Sequence, residues 1–248
     1  MGWPRRPLIA DRPVTSTPNH RLLAAKRSAE LPRAALHVGV VAVPKATDGD
    51  AFIAALEEFA EDIGGLTATT RVESGRTADE ASARGLIGSV EQLVVLCHGY
   101  HGGPTLGPGL CVAADGLLPP ASLPLADDPS LGAFVLTWDD LVGLPRSPDT
   151  VVSIACSSGR TVVGSGGARL GLETGLLANS TRFLVAPLWN VEQRSAVGWV
   201  RAYTAASAAS EDPPRAHRLA TLQLMDRHPH PYHWAPYAMS TARRGAPS

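Results

Sequence analysis

Between residues 35 and 240 the chain alternates short, almost purely apolar runs with longer segments whose apolar side chains recur every three or four positions. The runs are HVGVVAV (37–43), LVVLCHG (93–99), VVSIAC (151–156) and RFLVAPLW (182–189). A strand with one wet face would alternate apolar and polar residues; runs this uniform predict parallel strands covered on both faces. AFIAALEEFAEDIGG (51–65) has helical spacing and a glycine stop at Gly64, with Asp48 or Asp50 available as its cap. TATTRV (67–72) reads as a further strand, and TADEASARGLIGSV (77–90) as a helix opened by Thr77. LTWDDLVGL (136–144) predicts a short helix and GGARLGLETGLLANS (166–180) a longer one. Two more helices follow, over 191–210 and from Pro214, and HWAPYAMS (233–240) is the last strand. Strands and helices in this order predict right-handed crossovers and an α/β fold with a mostly parallel central sheet.

The ends of the chain break the pattern. Residues 1–34 are punctuated by Pro and Arg, with one amphipathic piece at 20–31, and read as an extension or linker packed on the domain edge. The domain is expected at 35–240 and a tail at 241–248. Residues 101–133 are rich in Gly and Pro, with a hairpin around GLCVAADG (109–116), and suit a lid beside a strand tip.

At 248 residues and 44% hydrophobic, the chain can bury a full core. A net charge of −1 gives no overall pull toward nucleic acid or an anionic membrane. The apolar runs are too short to span a bilayer, and no secretory leader is read at the start. Three cysteines make no disulfide framework, so a reducing cytoplasm is the expected compartment.

Two of the apolar runs end in chemistry. The first delivers His98 and Gly99, the second Cys156 and, three residues on, Gly159. Reaction sites of open parallel sheets lie beyond the carboxyl ends of the strands. If these two strands are neighbours, an imidazole meets a thiol at the rim, the arrangement of a cysteine nucleophile with a histidine base. The backbone N–H groups of Gly99 and Cys156 are the candidate oxyanion donors; losing one such donor typically costs about 2.7–4 kcal/mol of barrier. Cys97, one residue before His98, points to the other face and reads as core. Cys111 reads as structural, and His101 is the rival base. A metal site from Cys97, His98, His101 and Cys111, or from His228, His230 and His233, matches no common zinc spacing. A serine hydrolase would need G-x-S-x-G, which the GSGGA text around Ser165 lacks.

Around these residues the chain resembles the bacterial CHAT domain family of caspase-like cysteine peptidases. The features in order are His98-Gly99, Ser153-Ile154-Ala155-Cys156-Ser157-Ser158-Gly159, Pro187-Leu188-Trp189-Asn190-Val191, and HPYHWAPY from His230 to Tyr237. His98 precedes Cys156 by 58 residues (156 − 98), near the roughly 50 of caspases. The resemblance implies a caspase-like three-layer α/β sandwich. It also implies an endopeptidase with His98 as base and Cys156 as nucleophile, acting on a protein substrate without a cofactor in a regulated stress or defence response. Where the family has Trp-Pro-Val-Asp-Asp this chain has Trp189-Asn190-Val191-Glu192-Gln193. Glu192, Asp139 and Asp140 are therefore the candidate carboxylates for receiving a substrate side chain. The helical repeats that often precede such domains are not seen in this sequence, so sensing is expected from the N-terminal extension, from a regulatory partner chain, or not at all. The alternative within the same fold is a scaffold module without turnover.

Overall fold

The computed structural model describes residues 9, 11–14, 37–48, 53–56, 58–59, 62–63, 69–100, 109–120, 129–156, 158–159, 162–163, 169–179, 181–210 and 212–242. The central sheet uses β1 (His37–Val43), β2 (Thr69–Ser74), β3 (Gln92–Cys97), β7 (Thr150–Ser153), β10 (Phe183–Pro187) and β11 (Tyr237–Thr241). Their order across the sheet is β2-β1-β3-β7-β10-β11. The first five run parallel, and β11 lies antiparallel on β10. A small sheet beside it joins β4 (Gly99–Tyr100), β5 (Gly109–Cys111) and β6 (Val135–Thr137), and β8 (Val162–Val163) pairs with β9 (Arg169–Leu170).

Helices cover both faces, which is why the strands need no polar side. One face packs Val41, Val43, Leu93, Val95 and Val151 against α2 (Glu80–Ile87), α3 (Trp138–Val142) and α4 (Leu172–Ala178). The other packs Val38, Val40, Val94, Leu96, Val152 and Val185 against α1 (helical residues within 53–63), α5 (Gln193–Ser210) and α6 (Pro213–Arg227). This is a three-layer α/β sandwich, as the resemblance implies, around the mostly parallel central sheet that the apolar runs predict. The Nε–H of Arg218 on α6 donates to the carbonyl of Ile9 at 3.1 Å, so the N-terminal stretch touches α6 there. The amphipathic piece at 20–31, Asp50 and residues 101–108 and 121–128 of the lid lie outside the described residues.

Several boundaries differ from the sequence reading. α2 is opened by Asp79, whose carboxylate accepts from the Ser82 N–H at 2.8 Å, not by Thr77, which ends a 3-10 turn. That bond holds the Asp79 carboxyl below its usual range. Arg169 and Leu170 pair as a strand, and the helix expected from 166 starts only at Leu172. The segment expected as the last strand begins with a helical turn, α7 (Pro231–Trp234), capped by the His230 ring accepting from the Tyr232 N–H. The hairpin near 109–116 is present, with Asp115 and Gly116 at φ 50° and 71° and Ala114 bonded to Leu117 in both directions.

The second core carries a titration. His217 on α6 is 2% exposed, and its Nε2–H donates to the Tyr237 carbonyl at 2.8 Å. Its Nδ1 is buried and meets no partner among the described residues. Burial pulls its pKa below 6.5, and the bond to Tyr237 only partly offsets this. The unfolded chain therefore binds a proton that the native state refuses, so stability falls as pH drops below about 6.5, down to the depressed native value. Urea unfolding should show the loss, at up to about 1.4 kcal/mol per pH unit in that window. His217→Gln should flatten it; an unchanged slope would contradict the assignment.

Candidate active site

β3 and β7 are neighbours, with Val94 opposite Val152 and Val95 opposite Ser153. One bond prolongs the register, Ile154 N–H to the Val95 carbonyl at 2.9 Å. Cys156 thus leaves the sheet beside His98, in a turn after β7 rather than on the strand itself. The faces agree. Leu96 and Ile154 point into the α5/α6 core, while Cys97 and Ala155 point into the α2/α3/α4 core. Alternation along β3 carries His98 toward the α5/α6 side, and Cys156 lies in the turn that continues the β7 register. At Gly99 a Cβ would run directly into the Cys156 carbonyl oxygen. The two strand ends meet at backbone contact.

Small polar residues build the turn that holds Cys156. The buried Ser153 hydroxyl bonds the Ser158 hydroxyl at 3.0 Å and accepts from the Ala155 N–H at 3.3 Å. The Ser158 N–H donates to the Ala155 carbonyl at 3.0 Å, and the Gly159 N–H to the Pro187 carbonyl at 3.0 Å. A Cβ on Gly159 would sit 2.8 Å from the Ala186 carbonyl oxygen, so the motif's glycine lets the turn seat against β10. Beyond β10, the Trp189 indole N–H donates to the Tyr232 carbonyl at 3.2 Å and the Tyr232 hydroxyl to the Asn190 carbonyl at 3.0 Å. The Leu188 N–H donates to the Pro236 carbonyl at 3.0 Å. The last two sequence motifs are therefore bonded to each other beside the Cys156 turn.

His98 faces Asp48, a residue that the sequence offers as a helix cap. Its Nε2 lies 2.9 Å from Asp48 Oδ2, which also accepts from the Lys45 N–H at 2.7 Å. The contact spans 50 residues, so no local spacing announces it. Gly99 pairs with Leu110 while the Cys111 N–H donates to the His98 carbonyl at 2.9 Å. In this antiparallel pattern Gly99 sits at a non-bonded position, so its own N–H turns away from β5. His101, the rival base, lies outside the described residues.

The other thiols are inert by environment. Cys97 is 8% exposed, and burial, then the nearby Cys111 thiol, push it well above the usual thiol range. Cys111 is fully buried, which pushes it up to about 11. Cys156 is half-buried. Among the described residues no group of three or more His, Cys, Asp or Glu could hold a metal ion. The His228 and His233 rings lie 4.8 Å apart, and His230 caps α7.

The three carboxylates read as substrate receivers have other surroundings. Glu192 Oε2 accepts from the Ser195 N–H at 2.7 Å and its hydroxyl at 2.6 Å, capping α5. Asp140 completes a capping box with Thr137 and pairs with Arg84 at 2.6 Å. Asp139 is exposed on the first turn of α3, whose Leu141 belongs to the core opposite the His98 face. Asp139 and Asp140 thus stand on α3, on the α2/α3/α4 face of the sheet.

The sequence profile of the CHAT domain matches residues 2–242. The chain belongs to the CHAT domain family. No curated protein matches this CHAT domain in sequence. Among solved structures it is similar to the Saccharomyces cerevisiae separase in complex with securin, at 9% identity and a TM-score of 0.55, over 83% of this chain and 12% of that one. It is similar to the Arg-specific cysteine proteinase gingipain R at 8% identity and a TM-score of 0.55, over 83% of this chain and 46% of that one. A complex of the Porphyromonas gingivalis gingipain pro- and mature domains matches at 8% identity and a TM-score of 0.53, over 94% of this chain and 50% of that one. The CHAT domain therefore has the caspase-like fold and spans half or less of these longer chains. No helix among its described residues is long and apolar enough to cross a membrane.

Proposed function

We propose that this CHAT domain is a cysteine endopeptidase acting on a protein substrate through His98 and Cys156. One observation carries the reading: the neighbouring parallel strands β3 and β7 run out just before His98 and Cys156, with Gly99 pressed against the Cys156 carbonyl. His98 takes the thiol proton, and the sulfur attacks the scissile carbonyl carbon. The oxyanion of the tetrahedral adduct is held by the Gly99 and Cys156 N–H groups. As the C–N bond breaks, His98 returns the proton to the departing amine, leaving a thioester on Cys156. Water, deprotonated by His98, then attacks the thioester, releasing the carboxylic product and restoring the thiol.

An acidic pocket for a basic side chain is not part of this proposal, because Asp140 is spent on Thr137 and Arg84 and Glu192 on Ser195. The proposal extends to control by a partner chain, supported by the securin and pro-domain complexes of the structural neighbours, and to a cytoplasmic role, supported by three cysteines that form no disulfide framework. The test is cleavage of a diverse peptide library and of candidate partner proteins, read by mass spectrometry. Wild type should cut, and Cys156→Ala and His98→Ala should not. Cutting that survives in Cys156→Ala, or a wild type that binds partners and cuts none, overturns the proposal; the second result favours the scaffold reading.

A further inference from the structure

We infer that Asp48 is a positioning residue for His98, fixing its ring orientation and its tautomer. The inference rests on the dyad reading and adds a third member to it. The carboxylate is held in place before it meets the imidazole. The Lys45 N–H donates to Asp48 Oδ2 at 2.7 Å, and the Asp48 N–H donates back to the Lys45 carbonyl at 3.0 Å. The Ala46 N–H, in the same turn, donates to the Pro119 carbonyl at 3.0 Å and ties the turn to another part of the chain. The side chains of Asp48 and His98 are 14% and 25% exposed, so neither is a long arm in open water. An exposed ion pair contributes little because ordering it costs entropy; here the backbone has already fixed one partner.

The chemistry follows from which nitrogen is engaged. An ionised carboxylate only accepts, so the nitrogen 2.9 Å from Asp48 Oδ2 carries a hydrogen. With the proton on Nε2, the basic lone pair of the neutral ring is on Nδ1, where it can take the thiol proton. Once that proton arrives, the carboxylate stabilises the resulting imidazolium without itself being protonated. An asparagine at position 48 can turn its NH2 toward Nε2 and favour the opposite tautomer, the one with no base on Nδ1. Other titratable groups at this end of the sheet include Lys45 in the same turn, Cys97 on β3, Tyr100 on β4, Cys111 on β5, Cys156 after β7, Tyr237 on β11 and Glu192 at the start of α5.

The test needs no peptide substrate. Iodoacetamide alkylation of Cys156, located by peptide mass spectrometry, is followed from pH 5 to 9 in wild type, Asp48→Asn, Asp48→Glu and His98→Ala. The Asp48→Asn rate at pH 6 should fall about tenfold, with the half-maximal pH rising by about one unit, and Asp48→Glu should recover part of the loss. If Asp48→Asn superimposes on wild type while His98→Ala shifts the profile, the inference fails and the dyad stands. If His98→Ala also leaves it unchanged, the dyad reading itself fails. Nitrogen-15 NMR of the unaltered protein at pH 8 settles the matter should Asp48→Asn not fold. A proton on Nε2 of His98 is expected, and a proton on Nδ1 overturns the inference.

Discussion

Replacing Gly99 with alanine should abolish cleavage while every proposed reactive group remains in place. The added Cβ would enter the Cys156 carbonyl oxygen, which is backbone and cannot rotate aside. Something larger must move. Either β4 lifts from β5, breaking the Cys111 N–H to His98 carbonyl bond, or the Cys156 turn withdraws from the β3 end. Both routes separate the imidazole from the thiol and displace a candidate oxyanion donor. A misplacement of about 1 Å can cost about 10²-fold in rate, so turnover should fall at least that far. Overpacking also costs roughly 1–3 kcal/mol of stability. Gly85, exposed in α2 with nothing within 4 Å of its Cβ position, is the control. Its alanine variant should keep full activity and gain roughly 0.5–1 kcal/mol. A Gly99→Ala protein that cleaves at the wild-type rate would show that the two strand ends are not the reactive junction.

Trp199→Ala should be the most destabilising single truncation in the α5/α6 core. The indole is fully buried, stacks on Tyr237 at 4.6 Å and on Tyr203 at 5.4 Å, and meets the edge of His217 at 5.7 Å. Its N–H donates to the Thr221 hydroxyl at 3.2 Å, so the one polar atom is satisfied. Removal opens a cavity among aromatic rings and strands a hydroxyl, at about 3–5 kcal/mol. At about 2–4 °C per kcal/mol for a chain of this size, Tm should drop by more than about 6 °C. The effect reaches the site, because Tyr237 pairs with Pro187 and the Pro187 carbonyl accepts from Gly159 in the nucleophile turn. A loss below about 1 kcal/mol in urea unfolding would mean that α5 is not docked as described.

How far the sequence could be read follows from the range of the interactions. β1, β3, β7 and β10 were legible because a strand covered on both faces has no choice but to be apolar throughout. α5 and α6 were legible from helical spacing and from Pro214, although α6 starts one residue earlier, at Pro213 behind the Asp212 cap. β6 was not, because its three residues are a strand only by pairing with β5, and Thr137 doubles as the cap of α3. α7 was hidden by its cap, since a histidine ring stands where Ser or Asp is usual. At the site, His98, Gly99 and Cys156 were visible because strand tips announce themselves. Asp48 was not: its partner lies 50 residues away, and an aspartate before a helix already has a local explanation. The serines around Cys156 were visible as a family pattern, but only coordinates give the reason, a hydroxyl pair across the turn.

Covalent capture puts the question to the thiol itself. Wild type and His98→Ala are each treated at pH 7 with a panel of biotinylated peptidyl acyloxymethyl ketones bearing basic, acidic or apolar residues beside the warhead, and the adduct is located by mass spectrometry. The account predicts label on Cys156, none on Cys97 or Cys111, and labelling slower by at least about 10²-fold without the imidazole. Label on Cys156 arriving equally fast in His98→Ala would contradict it.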